Sequence, residues 1–209
     1  MGRALNVRNL FAMKHELFQL DGIWHDTIGS PERNGAWLIW GSEKNGKTWF
    51  TLLLSNYLSD FEKVHYISAE EGLCSDFIDT CRRAKINLFN KKLQFHGYEP
   101  LVDLYKRLKR RQAPKIVVID NITIYNDELK NGALRKLLND FPQMLFIFLA
   151  HEDRGLPYTA TAKMTRKIAK RIFYIEGLSC QVSGRCPGGT LTIDEERAAL
   201  YHGHSILNR

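Results

Sequence analysis

Cysteine and proline are scarce in this chain, and long apolar runs are missing. The four cysteines among 209 residues are Cys74, Cys81, Cys180 and Cys186. Their Cys-x6-Cys and Cys-x5-Cys spacings do not match the short pairs of common zinc sites, and no well-spaced His pair accompanies them. Ordinary reduced thiols are expected. No stretch approaches the ~20 apolar residues that a membrane span needs. The N-terminus lacks the apolar segment of a secretory signal, so a cytoplasmic location and no membrane partner are expected. No internal repeat, low-complexity segment or clear linker interrupts the sequence.

What remains is a soluble globular composition, 44% hydrophobic and 25% charged. The length suits one α/β domain and is short for two. The expected division is a packing segment over 1–30, a nucleotide-binding core over 31–171 and edge strands over 172–209. In the first of these, Phe11, Leu17, Phe18, Leu20 and Trp24 are available to pack against the core. The net charge is +7, with a pI near 9.2. A basic domain tends to meet polyanions, of which nucleic acid is the commonest in the cytosol.

The most informative residues are Gly41, Ser42, Glu43, Lys44, Asn45, Gly46, Lys47 and Thr48, which directly follow the apolar run Ala36-Trp37-Leu38-Ile39-Trp40. They form the complete G-x-x-x-x-G-K-[ST] phosphate-binding pattern at the end of a strand and the start of a helix. Chance yields it in only about one in a hundred chains of this length, given the usual glycine frequency. The glycines allow a tight turn that aims successive N–H groups into one concavity, and the following helix adds its positive end. Lys47 is expected to reach the β- and γ-phosphates, and the Thr48 hydroxyl to ligate Mg²⁺. Trp49 completes the set expected around ATP. Lys44 is a surplus cation that could face a phosphate or a neighbouring subunit.

Helical spacing runs over 49–59, followed by a strand over 63–68 and a helical stretch to about Lys85. A weaker strand at 93–96 and an amphipathic helix over 101–111 come next. The strand over 115–120, a helix near 127–138 and a strand over 144–149 complete the core. Apolar strands alternating with helices argue for a mostly parallel sheet covered on both faces. The tail reads as three short strands, 172–175, 190–193 and 198–201, added antiparallel at one edge. That makes about eight strands in a mixed α/β sheet.

Asp120 ends a run of apolar β-branched residues, as the second Mg²⁺-organising carboxylate beside a phosphate loop does. Glu70 and Glu71 end another strand. Either could polarise the water that attacks the γ-phosphate, or the pair could complement a helix dipole. His151 follows the strand over 144–149. It could hydrogen-bond the γ-phosphate and report its loss, or simply cap the strand.

Taken together, Gly41 to Thr48, His65-Tyr-Ile-Ser-Ala-Glu-Glu71 and Val117-Val-Ile-Asp-Asn-Ile-Thr123 resemble the RecA-like P-loop ATPase core. The Glu-bearing strand is closest to that of Sms/RadA and KaiC-like proteins, and the size to single-domain phage-type recombinase ATPases. The resemblance covers roughly residues 30–203. It implies that the Glu strand lies beside the Asp strand and that Glu70, with Glu71 as a possible sharer, activates water. His151 stands where RecA proteins carry a Gln that couples nucleotide state to DNA. The segments 123–132 and 153–163 match the two DNA-binding loops by position.

Lys163, Arg166, Lys167, Lys170 and Arg171, with Arg154 before them, form a basic stretch whose Met164, Ile168 and Ile172 are expected on one helix side. The stripe could track single-stranded DNA, supply a trans-acting finger in a ring or filament, or be a solvated face. The basic run over 106–111 is expected to be solvated surface. The leading expectation is an ATP- and Mg²⁺-dependent, DNA-stimulated ATPase of recombination or repair. A KaiC-like regulator with a protein partner is the first alternative. A small-metabolite kinase, with residues 163–171 as its lid, is the second.

Overall fold

The computed structural model describes residues 4–199 and 202. Two short helices, α1 (Val7–Phe11) and α2 (Gly22–Ile28), precede the sheet. The core elements are β1 (Gly35–Gly41), α3 (Lys47–Leu58), β2 (Val64–Ser68), α4 (Ser75–Arg83), β3 (Leu93–His96), α5 (Leu101–Leu108) and β4 (Ile116–Asp120). Then come α6 (Asn126–Leu129), α7 (Ala133–Asp140), β5 (Leu145–Asp153), β6 (Leu156–Pro157) and α8 (Ala160–Ile168). The chain continues with β7 (Arg171–Glu176), β8 (Ser179–Gly184) and β9 (Gly189–Thr192).

All nine strands belong to one sheet, in the order β3-β2-β4-β5-β1-β7-β8-β9, with β6 paired to β5 alone. Six strands, from β3 through β7, run parallel, and β8 and β9 continue antiparallel. The Glu strand β2 lies beside the Asp strand β4, with Ser68 opposite Asp120. The apolar strands alternate between two cores. Trp37, Ile39, Tyr66 and Phe173 join α3 and α4 on one face. Leu38, Trp40, Ile67 and Phe148 join α5, α7 and α8 on the other. Full burial of both faces explains why these strands read as near-continuous apolar runs.

Several expectations change. The count of eight strands came close, but with the wrong members. Residues 195–199, including Ala198 and Ala199, are helical rather than a strand, and Leu200 and Tyr201 lie outside the described residues. The strand β8 takes the missing place. Its Cys180 and Val182 point inward and its polar residues outward, so its apolar content is low and only period-two alternation marks it. The helix expected near 127–138 is two helices. Asn131 (φ 54°) and Gly132 (φ 90°) adopt the left-handed region between them, which no helix continues through. Phe18 and Leu20 are buried, and Trp24 stacks on Tyr57 at 5.3 Å. Phe11 instead stands 81% exposed on α1. Among the described residues no helix is long and apolar enough to cross a membrane.

Candidate nucleotide-binding site

The loop from Gly41 to Thr48 leaves the carboxyl end of β1, between β5 and β7, at the edge where open parallel sheets hold ligands. Gly41 has φ 152°, and a Cβ there would lie 2.1 Å from the Ile175 carbonyl oxygen of β7. Only glycine permits this close approach. Gly46 has φ 94° and sits under Leu178, which a Cβ would meet at 2.6 Å. Asn45 fixes the loop from within. Its Nδ2 donates to the Glu43 carbonyl at 2.9 Å, and its Oδ1 accepts from the Gly177 N–H at 2.8 Å. The β7–β8 turn is thereby tied to the phosphate loop.

Lys47 is buried and its Nζ donates to the Ser42 carbonyl at 2.7 Å. Burial lowers its pKa, with Asp120 and Glu70 opposing. Thr48 Oγ1 donates to Asp120 Oδ2 at 3.3 Å, and the Tyr66 hydroxyl donates to the same oxygen at 2.6 Å. Burial pushes the Asp120 carboxyl up to about 6; Tyr66 pulls it down, and the charges of Glu71 and Glu70 raise it further. A hydroxyl and a carboxylate converging beside a phosphate loop are the hard oxygen donors that suit Mg²⁺, so this donor set fits the ion.

Glu70 ends up between two donors. Asn121 Nδ2 donates to Oε2 at 3.1 Å, and His151 Nε2 lies 3.0 Å from both carboxylate oxygens. Burial raises the Glu70 pKa, but these hydrogen bonds and the Lys47 charge outweigh it and hold the carboxyl below its ordinary value. Glu71 is exposed and outside this network. The cleft that joins these residues has a volume of about 580 Å³. Lys47, Thr48, Glu70 and Asp120 line one part of it, together with Glu43 and the exposed Lys44 (φ 59°). Trp49, Thr80, Arg83, Leu178 and Arg197 also line it. The Arg83 guanidinium lies 5.2 Å above the Trp49 ring.

Tyr66, Asn121 and the Gly177-Leu178 turn escaped the sequence reading. Tyr66 carries a signal, since it lies two residues before Ser68 on the strand that pairs with Asp120. Asn121 was legible only as the neighbour of Asp120. The turn acts over more than a hundred residues of sequence and leaves no local mark.

The loop after His151 is a hairpin. β5 runs on to Asp153 and β6 folds back onto it, with Arg154 at the tip in the left-handed region (φ 50°). Glu152 links this hairpin to the phosphate loop. It accepts from Ser42 Oγ at 3.2 Å and from the Gly155 N–H at 3.2 Å.

The five cations do not form one stripe. α8 stops at Ile168 because Ala169 turns extended, and Ile172 belongs to β7. The buried face of α8 is Thr161, Ala162 and Thr165. Lys170 is held by Glu32 and by Asn34 at 2.8 Å. Arg171 is buried and donates to the Ile28 carbonyl at 3.0 Å. Lys163 and Lys167 remain exposed, while Arg166 lies 4.7 Å over the Trp40 ring. A kinase lid built from residues 163–171 is not available, since Lys170 and Arg171 are held in the body of the domain. In the other basic run, Arg107 is not simply solvated; it pairs with Glu99 at 2.7 Å.

Sheet order, phosphate loop and Asp strand together define a RecA-like P-loop fold, with antiparallel strands at its carboxyl-terminal edge. The structure is similar to that of the flagellar accessory protein FlaH of Methanocaldococcus jannaschii, at 17% identity and a TM-score of 0.61, over 86% of this chain and 92% of that one. It is also similar to the KaiC-like protein PH0186 of the hyperthermophilic archaeon Pyrococcus horikoshii OT3, at 18% identity and a TM-score of 0.61, over 81% and 87% of the two chains. No family model and no curated protein matches the sequence.

Proposed function

We propose that this chain is a Mg²⁺-dependent ATP hydrolase whose turnover is stimulated by single-stranded DNA, in recombination or repair. The hydrolase reading is carried by the Glu70 carboxylate, held at 3.1 Å by Asn121 and 3.0 Å by His151, in the cleft that also holds Lys47, Thr48 and Asp120. An ionised carboxylate fixed in orientation can take a proton from a water attacking the γ-phosphate. Lys47 would exchange the Ser42 carbonyl for phosphate oxygens. The oxygens of Thr48 and Asp120 would hold Mg²⁺, which would supply positive charge against that developing on the phosphate.

Support for the DNA partner is the net charge of +7 and the cations Arg154, Lys163, Arg166 and Lys167, which follow His151 on the hairpin and α8. Glu152 gives a route from one to the other, because it touches both Ser42 and the hairpin tip. A γ-phosphate beside Ser42 would repel the Glu152 carboxylate and shift that tip. Assembly into a ring or filament belongs to this reading. A regulatory ATPase with a protein partner is the second reading, favoured by the likeness to a KaiC-like protein.

Phosphate release from ATP, measured without DNA and with single- or double-stranded DNA, should be highest with the single strand. Equal rates in all three, with no oligonucleotide binding at low salt, would refute the DNA partner and favour the protein partner.

A further inference from the structure

The sheet carries an uncovered face at its antiparallel edge. Pairing places Ile172 opposite Ser183 and Tyr174 opposite Gln181, with Thr190 next across from Gln181. These five side chains share one face. Gln181, Ser183 and Thr190 are exposed there, while the opposite-facing Cys180, Val182 and Leu191 are buried. Where this face meets α8 and the hairpin, a cleft of about 310 Å³ is lined by Trp40, Gly155, Arg166, Tyr174, Gln181 and Ser183, among others.

Its chemistry is distinctive. The Trp40 and Tyr174 rings lie 4.7 Å apart, and the Arg166 guanidinium lies 4.7 Å from the Trp40 centroid. Trp40 is 6% exposed, and among the described residues its Nε1–H, like those of Trp37 and Trp49, has no hydrogen-bond partner. A core tryptophan that leaves its donor unpaired gives up stability. The Trp40 ring supports a guanidinium and a phenol ring at the cleft wall. Lys163 and Lys167 lie on the exposed part of the same helix, and Arg154 adjoins Gly155 at the hairpin tip. Aromatic and guanidinium planes bordered by exposed cations are what a single strand needs: bases stack without regard to sequence, and the phosphates meet the charges.

We infer that this face binds single-stranded DNA, with a base stacked against Arg166 and Tyr174 and the flanking phosphates met by Arg154, Lys163 and Lys167. The inference rests on the DNA reading above and deepens it. It puts the strand on the β7–β8 face beside α8, with Arg166 as a stacking plane rather than a phosphate contact. The polar side chains Gln181, Ser183 and Thr190 keep the rest of the face wet and tolerant of any base.

The test uses a fluorescein-labelled oligothymidylate and its abasic counterpart, titrated by anisotropy in the presence of a non-hydrolysable ATP analogue. Tyr174→Ala and Arg166→Gln should each weaken binding of the base-bearing strand by roughly fivefold to a hundredfold. The abasic strand should bind the wild-type chain weakly and lose nothing further in Tyr174→Ala. Wild-type affinity in both variants, with the normal strand bound tightly, would overturn this site and leave the DNA reading intact. Failure of the wild-type chain to bind any strand at low salt would overturn the DNA reading and this site with it. Photo-crosslinking of an iodouracil-substituted strand to the wild-type chain does not depend on how the variants fold. The crosslink is expected on β7 at Tyr174; crosslinks confined to other segments would overturn the site.

Discussion

Replacing Glu70 with Gln should lower the rate of ATP hydrolysis by about 10²–10⁴-fold while ATP binding stays close to that of the wild-type chain. The substitution keeps the shape and one acceptor oxygen for Asn121 and His151, but removes the group that can take a proton from water. The groups proposed to bind phosphate, the loop amides and Lys47, are untouched. The hydrogen bonds from Asn121 and His151 hold the Glu70 carboxyl below its ordinary value, so Glu70 itself should contribute no acid limb to the rate near neutral pH. Single-turnover hydrolysis alongside titration with a fluorescent ATP analogue separates the two effects. A parallel loss of binding and turnover would mean that Glu70 shapes the cleft instead of acting on water.

The largest expected effect on stability lies outside the cleft. Glu99 and His65 are buried, and His65 Nε2 lies 2.8 Å from Glu99 Oε2. Arg107 closes the group with bonds to both Glu99 oxygens at 2.8 and 3.2 Å. Glu99→Ala leaves a buried imidazole N–H and a half-buried guanidinium unpaired, at a cost of about 3 kcal/mol. For a domain of this size that corresponds to a fall in Tm of roughly 6–12 °C. Glu99→Gln retains an acceptor for His65 and should lose clearly less. Equal Tm values for wild type and Glu99→Ala would show that the triad contributes nothing.

The same group sets an acid dependence. Burial holds His65 below its ordinary value of 6.5, against the pull of Glu99. Burial raises Glu99, but Arg107 and His65 outweigh it and hold the carboxyl below 4.5. Both pKa values are depressed in the folded state, so the unfolded chain binds more protons as pH falls. Stability from this group is complete above pH 6.5. It declines first through His65 and then through Glu99 on acidification. Urea melts from neutral to acid pH should show this loss in the wild-type chain; in Glu99→Ala the part through Glu99 disappears, while the part through His65 grows because nothing opposes burial there.

Much of the fold and of the candidate phosphate site is legible because both are written in local patterns. The glycines of the loop sit beside an apolar strand, and Asp120 ends another, so burial itself aims the chemistry at one edge of the sheet. The tail was harder. A half-exposed antiparallel strand such as β8 carries too few apolar residues to announce itself, while the helical Ala198 and Ala199 belong to an apolar run short enough to read as a strand. The basic stretch misled for a different reason. Charge counts do not reveal that Lys170 meets Glu32 and Asn34, or that Arg171 turns into the body of the domain. Those partners lie more than a hundred residues away. The links that organise the site, Tyr66 to Asp120 and Asn45 to Gly177, are likewise set by sheet order and not by spacing.

Phosphate release from Mg²⁺-ATP by the purified chain, compared with Lys47→Ala and with Mg²⁺ chelated, tests the central claim most directly. The account predicts turnover in the wild-type chain that disappears in both controls. Absence of turnover in the wild-type chain at saturating ATP, with or without single-stranded DNA, would contradict it, as would turnover that survives Lys47→Ala.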